Sequence, residues 1–413
     1  MQPTSPSEAS EQPQAKPVGT PLEVLLAFLK LGLTSFGGPV AHLGYFHSEF
    51  VERRRWLDDK SYGDLVALCQ FLPGPASSQV GMAIGLGRAR WMGALAAWLG
   101  FTLPSAIVLI LFAFGVAQWS GLAASGAVHG LKVVAVAVVA QAVWGMARSL
   151  CPDRLRAGIA ILAAIFVLFL SGTAGQIGAI ILGGMVGYGL LKLEHLPAAN
   201  HQNYGISRRM GVFLLSVFAA LLILLPIAAL SYPSPLLAAI SVFYQAGSLV
   251  FGGGHVVLPL LQAGVVPPGW IDNDTFLAGY GAAQAVPGPL FTFAAFLGAS
   301  MPGNAGGWLG GLVLLLAIFI PAFLLVAGAL PFWEALRQRD GIRRAMGGIN
   351  AAVVGILTAA LYEPVWTSAI HSRADFGLAL AAFGLLVYAR IPPWLVVALA
   401  AAGGWALGLG GPA

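Results

Sequence analysis

Long apolar runs separated by short charged segments dominate this chain. Residues 210–271 and 275–333 contain no Asp, Glu, Lys or Arg. Runs of about 18 or more apolar residues are typical of membrane-spanning helices, whereas strands of a membrane barrel alternate apolar and polar residues. The pattern therefore predicts an all-α polytopic membrane protein. Its apolar segments are residues 22–50, 61–87, 91–118, 128–147, 157–172, 175–191, 210–232, 376–389 and 391–410.

Glycine and proline interrupt the apolar sequence at four places. We name Phe36-Gly37-Gly38-Pro39 the first break and Pro73-Gly74-Pro75 the first tip. Phe251-Gly252-Gly253-Gly254, the second break, and Pro287-Gly288-Pro289, the second tip, follow them at nearly equal spacing. Broken backbone is tolerated within a membrane where it lines a protein-enclosed cavity. Paired interruptions in two halves are the best sequence-level indication of a transporter binding site.

The two halves also match elsewhere, but their charges are exchanged. Lys and Arg mark cytoplasmic loops, and in the first half they lie at residues 52–60, 88–90 and 148–156. The equivalent loops of the second half lack them, while Arg337, Arg339, Arg343 and Arg344 replace a bare loop at 119–127. A single span at 210–232 supplies the odd crossing. The halves are predicted to be inverted-topology repeats.

The charge pattern also predicts how the broken segments are arranged. If the basic residues on either side of 61–87 are both cytoplasmic, this segment is a re-entrant hairpin with the first tip at its turn. Segment 22–50 is expected to be a similar hairpin or, alternatively, one long kinked spanning helix. We divide the chain into a disordered cytoplasmic tail (1–20), a first repeat (21–192), a linker with one transmembrane helix (193–235) and an inverted second repeat (236–413).

Composition excludes several other classes of function. The net charge of +5 could indicate nucleic-acid binding, but cytoplasmic loops of membrane proteins collect Lys and Arg, so no nucleic acid is expected. Cys69 and Cys151 form no disulfide framework or metal-ligand spacing. No nucleophile or metal motif appears. We therefore expect no enzyme, no catalytic residue, no metal and no cofactor.

Candidate binding groups lie at and near the breaks. Backbone N–H groups at the start of a half-helix favour an anion. Ser77, Ser78 and Thr292 follow the tips and could bind it, or act as ordinary helix caps. Because an ionisable residue within a span is a functional candidate, Lys30 and Lys132 are included, although either could extend to an interface.

Histidines and glutamines near the breaks complete the candidate set. His42 and His255 could bind an anion or titrate, or simply be satisfied core residues. Gln70 and Gln284 occupy matching places before the tips and could line the site or join helices. The predicted substrate-binding residues are Lys30, Gly37, Gly38, His42, Gln70, Gly74, Ser77, Ser78, Gly252, Gly253, His255, Gln284, Gly288 and Thr292, with Lys132 and its counterpart Asn350 as further candidates.

The paired motifs resemble the chromate ion transporter (CHR) family in its long-chain form. The resemblance rests on the two breaks, with His42-Leu43-Gly44 after the first and His255 after the second, and on the two tips; it spans roughly residues 22–410. It implies export of chromate across a bacterial inner membrane and chromate resistance, with sulfate as a related substrate. From the residues alone, a carrier for another oxyanion and an anion channel stay open. No motif determines the oligomeric state, and we expect a homodimer.

Overall fold

The structure, a computed structural model, describes residues 19–118, 122–170, 172–192 and 204–410. The expected tail lies almost entirely outside these ranges. Within them the chain is helical. The α-helices are α1 (Pro21–Thr34), α2 (Gly38–His47), α3 (Asp59–Phe71), α4 (Ala76–Gln118), α5 (Leu122–Leu150), α6 (Arg154–Phe169), α7 (Thr173–Leu190), α8 (Arg208–Ser231), α9 (Pro235–Leu249), α10 (Val257–Val265), α11 (Asn273–Ala283), α12 (Phe293–Ser300), α13 (Gly307–Ala329), α14 (Trp333–Arg337), α15 (Asp340–Ala360), α16 (Thr367–Ala369), α17 (Arg373–Val387) and α18 (Pro393–Gly410).

Helices α1 and α2 form a hairpin that turns at the first break. The ring of Phe28 lies 5.4 Å from that of Phe46 and 4.8 Å from that of Phe50, centroid to centroid. Such contacts join residues before and after the turn, so the arms run antiparallel. This confirms the hairpin and excludes one long kinked helix. With 14 residues, α1 is about 21 Å long, too short to cross a hydrocarbon core of about 30 Å.

A second hairpin runs through α3, the first tip and the start of α4. The Arg88 guanidinium lies 5.1 Å from the centre of the Trp56 ring, which brings the two ends of this hairpin together. Helix α4 then breaks at Ala89 and Arg90, where the backbone leaves helical geometry. Residues 91–118 continue as the long apolar span. The fold-back that the charge pattern predicts for 61–87 is confirmed.

The second repeat contains the same two hairpins. Helix α9 turns at the second break, and Val242 packs against Gly264 of α10. Helices α11 and α12 turn at the second tip, where the rings of Phe276 and Phe293 are 5.1 Å apart.

The repeats are inverted because their equivalent long spans pack antiparallel. Trp91 of α4 contacts Phe323 near the end of α13, at 5.9 Å between ring centroids. Phe114, near the other end of α4, contacts Trp308 at the start of α13, also at 5.9 Å. These contacts establish the opposite orientation that the exchanged charges predict.

The later helices of each repeat also pack against helices of the other repeat. Helix α5 of the first repeat packs on α18 of the second, where Gly130 contacts the backbone of Ala400. Helix α15 of the second repeat packs on α7 of the first, where Gly348 contacts Gly187. Glycine at these crossings lets the backbones touch, as in close-packed membrane helices. The repeats are therefore intertwined.

Six helices of the described residues are long and apolar enough to cross a membrane. They include α8, which joins the repeats and is the span least covered by the rest of the chain. Its Gly211 packs against Gly328 of α13, and the Tyr244 hydroxyl of α9 donates to the Phe218 carbonyl at 3.0 Å. The protein is an all-α polytopic membrane protein with two inverted halves. Besides α8, the candidate membrane spans are Ala76–Gly115, Gly126–Leu150, Thr173–Leu190, Gly307–Leu336 and Asp340–Ala369.

Candidate functional site

Each tip bonds to the break of the opposite repeat. The Gly74 N–H of the first tip donates to the Val250 carbonyl, 2.6 Å away, immediately before the second break. The Gly288 N–H of the second tip donates to the Ser35 carbonyl, 2.9 Å away, immediately before the first break. The two bonds are equivalent under exchange of the repeats. All four interruptions therefore meet at one centre, as the sequence predicts.

The two breaks also touch each other directly. A Cβ placed on Gly254 would lie 3.5 Å from Pro39 Cγ. Gly37 and Gly252 both have positive φ, 101° and 73°, a conformation that glycine adopts without strain. The chain can therefore reverse at both breaks within a small volume.

The crosswise bonds correct one expectation. We expected the N–H groups at the tips to be free to approach an anion, but those of Gly74 and Gly288 already donate to carbonyls. Buried N–H groups are almost always paired, and here the opposite repeat supplies the acceptors. In this conformation the tips hold the repeats together. Contact of Gly74 and Gly288 with substrate stays a prediction.

The first-repeat side of the centre is polar. His42 is buried, and its Nδ1 lies 3.4 Å from the hydroxyl of buried Ser77 at the start of α4. The hydroxyl of Ser78 is also buried and has no hydrogen-bond partner among the described residues. Gln79 Nε2 donates to the Pro73 carbonyl at 2.8 Å and so stabilises the first tip. Two predicted residues, His42 and Ser77, are thus in contact, and a third, Ser78, follows Ser77 in α4.

The second-repeat side is less polar, and two of its polar side chains, His255 and Thr292, are paired locally. His255 Nδ1 lies 2.8 Å from the Tyr280 hydroxyl. The Thr292 hydroxyl donates to the Pro289 carbonyl at 2.8 Å, which is the local capping role. Asn350 Oδ1 is buried without a partner among the described residues, and a Cβ on Gly252 would lie 3.6 Å from it. Asn350 therefore lies beside the second break.

The paired glutamines differ in environment. Gln70 is exposed on α3, whereas Gln284 is partly buried and its Nε2 has no partner in the described part of the chain. The different environments of Gln70 and Gln284 do not indicate a shared role in the two repeats. Their contact with substrate remains a prediction.

Lys30 lies in an ion-pair cluster rather than against a break. Its Nζ is 3.1 Å from Glu49 Oε2, and its side chain is 53% exposed. Glu49 also accepts from Arg53 at 2.9 Å and Arg54 at 2.7 Å. Burial alone would raise the pKa of Glu49, but the hydrogen bonds from Arg54, Lys30 and Arg53 lower it to about 2. This differs from the expected unpaired cation, because the hairpin brings residue 49 alongside residue 30; its role toward substrate remains a prediction.

Lys132 is likewise paired. Its ammonium lies 2.9 Å from Asp274 Oδ1 at the start of α11, and its side chain is 11% exposed against 64% for Asp274. The lysine thus extends from α5 of one repeat to an exposed carboxylate of the other, as in the alternative of a residue reaching an interface. The pair is a second polar link between the repeats.

Several residues of the centre were not predicted. Ser35 and Thr102 have buried hydroxyls without a hydrogen-bond partner among the described residues. Ser105 Oγ donates to the Thr102 carbonyl at 3.0 Å and lies 2.9 Å from where a Cβ on Gly288 would be. A position-by-position comparison of the two repeats could have identified these residues, because each of them corresponds to an apolar residue in the other repeat.

The arrangement defines a class of protein. Membrane-spanning helices enclose four broken segments, and the two inverted halves meet at that centre. Inverted repeats with discontinuous helices at their interface are the plan of secondary transporters. Among the described residues no group of three or more His, Cys, Asp or Glu side chains could hold a metal ion.

The chain belongs to the chromate transporter family. A family model described as "Chromate transporter" matches residues 22–188 and again 237–405. The "Probable chromate transport protein" of Synechococcus elongatus is 28% identical over 91% of this chain and 93% of its own. The "Chromate transport protein" of Pseudomonas aeruginosa is 27% identical over 98% and 96%, and that of Cupriavidus metallidurans 28% over 84% and 82%. No solved structure matches this chain.

Proposed function

We propose that this protein is a secondary transporter that exports chromate from the cytoplasm and thereby confers chromate resistance. The observation that carries the proposal is the crosswise bonding of tips and breaks, which gathers four half-helix ends from two inverted repeats at one centre. Secondary transporters bind their substrates at such a centre between inverted repeats. The printed names of the relatives supply chromate as the substrate.

Alternating access follows from the symmetry of the two repeats. The inverted repeats have equivalent folds, so a state in which the two repeats exchange conformations would open the centre to the other side. One repeat would then rock against the other around a fixed site. For an interior-negative membrane, moving a dianion outward is favoured by about 4.6 kcal/mol per 100 mV. The potential alone could therefore drive export.

The proposed location is the bacterial inner membrane with the N-terminus in the cytoplasm. Arg54 and Arg88 both contact Trp56, at 5.3 and 5.1 Å from the centre of its ring, and Arg88 pairs with Glu23 at 3.2 Å. These cations share one end of the bundle, which the positive-inside rule assigns to the cytoplasm. There they would also attract an anion toward the centre.

The domain limits, the lipid contacts and the oligomeric state belong to the same proposal. We keep the repeats at 21–192 and 236–413, with the linker at 193–235, and a homodimer as the assembly. Cross-linking of the protein in native membranes would test the dimer, because the cross-linked fraction of a stable dimer is independent of protein density, whereas that of a monomer falls toward zero as the density is lowered.

The test of function is chromate uptake into everted membrane vesicles. We expect saturable uptake that increases when a potassium diffusion potential makes the vesicle interior positive, and competition by excess sulfate if the site accepts both dianions. Vesicles without the protein are the control. Uptake that rises linearly with concentration would favour an anion channel, and uptake of sulfate without chromate would favour another oxyanion carrier.

A further inference from the structure

Four buried polar atoms near the first break lack a partner in the part of the chain that the structure describes. They are the hydroxyl oxygens of Ser35, Ser78 and Thr102 and the Nε2 atom of His42. All four residues are at most 3% exposed. Buried polar groups are normally paired, and an unpaired one is destabilising. A group of four indicates that water or a ligand supplies the missing partner.

His42, Ser77, Phe101, Gly288 and Ser35 are linked by contacts across several elements, and Ser78 and Thr102 directly follow Ser77 and Phe101 in α4. The His42 ring meets the Phe101 ring edge-on at 5.2 Å between centroids. The Phe101 carbonyl lies 3.0 Å from where a Cβ on Gly288 would be, and the Gly288 N–H donates to the Ser35 carbonyl. The end of α1, the helix α2, both parts of α4 and the second tip therefore enclose the same region.

The second repeat fills the equivalent region with aromatic rings. Ser77 corresponds to Phe291 and Ser105 to Phe319 when the tips are aligned. The Phe291 and Phe319 rings are in contact, with centroids 5.8 Å apart, and both residues are buried. Two serine hydroxyls therefore stand where the other repeat has two packed phenyl rings. With the same alignment Gln79 and Thr102 correspond to Phe293 and Leu316, and with the breaks aligned Ser35 and His42 correspond to Val250 and Val257; Ser78 alone has a hydroxyl counterpart, Thr292.

We infer that the oxyanion binds off-centre, in this first-repeat pocket, on Ser35, His42, Ser78 and Thr102, while the aromatic counterpart is a packed wall. The inference rests on the proposed function and names the site within it. With its proton on Nε2, His42 accepts from the Ser77 hydroxyl through Nδ1 and donates into the pocket through Nε2. The proposed ligands are neutral, and Lys30 is already paired with Glu49.

The test measures chromate binding to the purified full-length protein in nanodiscs by isothermal titration calorimetry. Ser35→Ala and Thr102→Val each remove one hydroxyl with little change in volume. We expect each to raise the Kd for chromate at least tenfold, because a hydrogen bond to an ion is lost. Ser248→Ala is the matched control, since this equally buried hydroxyl already donates to the Tyr244 carbonyl at 2.7 Å. It should change the Kd less than twofold.

Thermal unfolding separates a binding role from a structural one. Removing an unpaired buried hydroxyl should leave the Tm of the anion-free protein unchanged or higher, while the increase in Tm on adding chromate becomes smaller. A lower Tm without anion in Ser35→Ala and Thr102→Val, with unchanged Kd, would overturn the inference. His42→Gln provides a further variant should one of these not fold, with the same expected increase in Kd.

The outcomes also distinguish this inference from the proposed function. If the unaltered protein binds neither chromate nor sulfate, the proposed function fails. If it binds chromate and both hydroxyl variants bind it equally well, the function stands and the pocket assignment is wrong.

Discussion

Alanine substitutions at three break and tip glycines should have unequal effects, although all three glycines have positive φ. The φ values are 77° at Gly38, 118° at Gly74 and 101° at Gly288. An L-residue in such a conformation costs about 1–3 kcal/mol. What differs is the space for the added Cβ, so a series of alanine variants separates backbone strain from steric overlap.

The available space ranks the three positions. At Gly38 a Cβ meets nothing within 4 Å. At Gly74 it meets Gln79 Nε2 at 3.0 Å, the end of a flexible side chain. At Gly288 it meets Ser105 Oγ at 2.9 Å and the Phe101 carbonyl at 3.0 Å, and the carbonyl belongs to a helix that cannot easily move. Overpacking adds about 1–3 kcal/mol there, so Gly288→Ala should cost about 2–6 kcal/mol in all.

The assay is the initial rate of chromate uptake into everted vesicles, together with Tm of the purified protein. We expect the loss to increase from Gly38→Ala to Gly74→Ala to Gly288→Ala, with Gly288→Ala close to inactive. Leucine at Gly74 or Gly288 should abolish transport while membrane insertion is retained. Equal rates for Gly74→Ala and Gly288→Ala, or a normal rate for Gly288→Ala, would refute this account of the tips.

Three further predictions address topology, charge and the link between the repeats. In a protein without native cysteines, Lys60→Cys and Pro268→Cys, both at exposed positions, should react with an impermeant maleimide from opposite sides of the membrane; labelling from one side contradicts the inverted orientation. Because the pKa of Glu49 in the folded protein is about 2, below its ordinary value near 4.5, its contribution to stability is lost as the pH falls from about 5 to about 2. Glu49→Gln should lower Tm at pH 7 and reduce the decline of Tm between pH 5 and pH 3, and an identical pH profile contradicts this. Asp274→Asn leaves the Lys132 ammonium largely buried without its partner, so it should lower Tm by more than the double variant Asp274→Asn/Lys132→Asn does; equal Tm values would show that the pair is not coupled.

The sequence predicts the hairpins and the repeats well because glycine and proline have local effects. Glycines such as Gly37 and Gly74 mark turns with positive φ whatever packs around them. Charged loops indicate which side of the membrane they lie on without any knowledge of packing. The intertwined helices were not predicted, since the contact of Gly130 with Ala400 depends on how two complete repeats dock. A glycine marks a close approach but does not name its partner.

The site was predicted only in part, for a physical reason. His42, Ser77 and Ser78 follow a break directly and were recognised by that position. Ser35 and Thr102 lie in or beside helices, where a hydroxyl usually bonds to its own backbone, and only the structure leaves them unpaired.

The bond from Gly74 to Val250 can form only after both residues have been synthesised. When the ribosome has made the first tip, its acceptor lies 176 residues further along the messenger and will not exist for about 10–35 s at ordinary rates of elongation. During that interval the first half lies in the membrane without the carbonyl that accepts from the Gly74 N–H in the complete fold. A chain that terminates in the linker never completes the bond, so truncated products should be recognised as unfinished by membrane proteases. Co-expression of the missing half as a separate polypeptide should protect them.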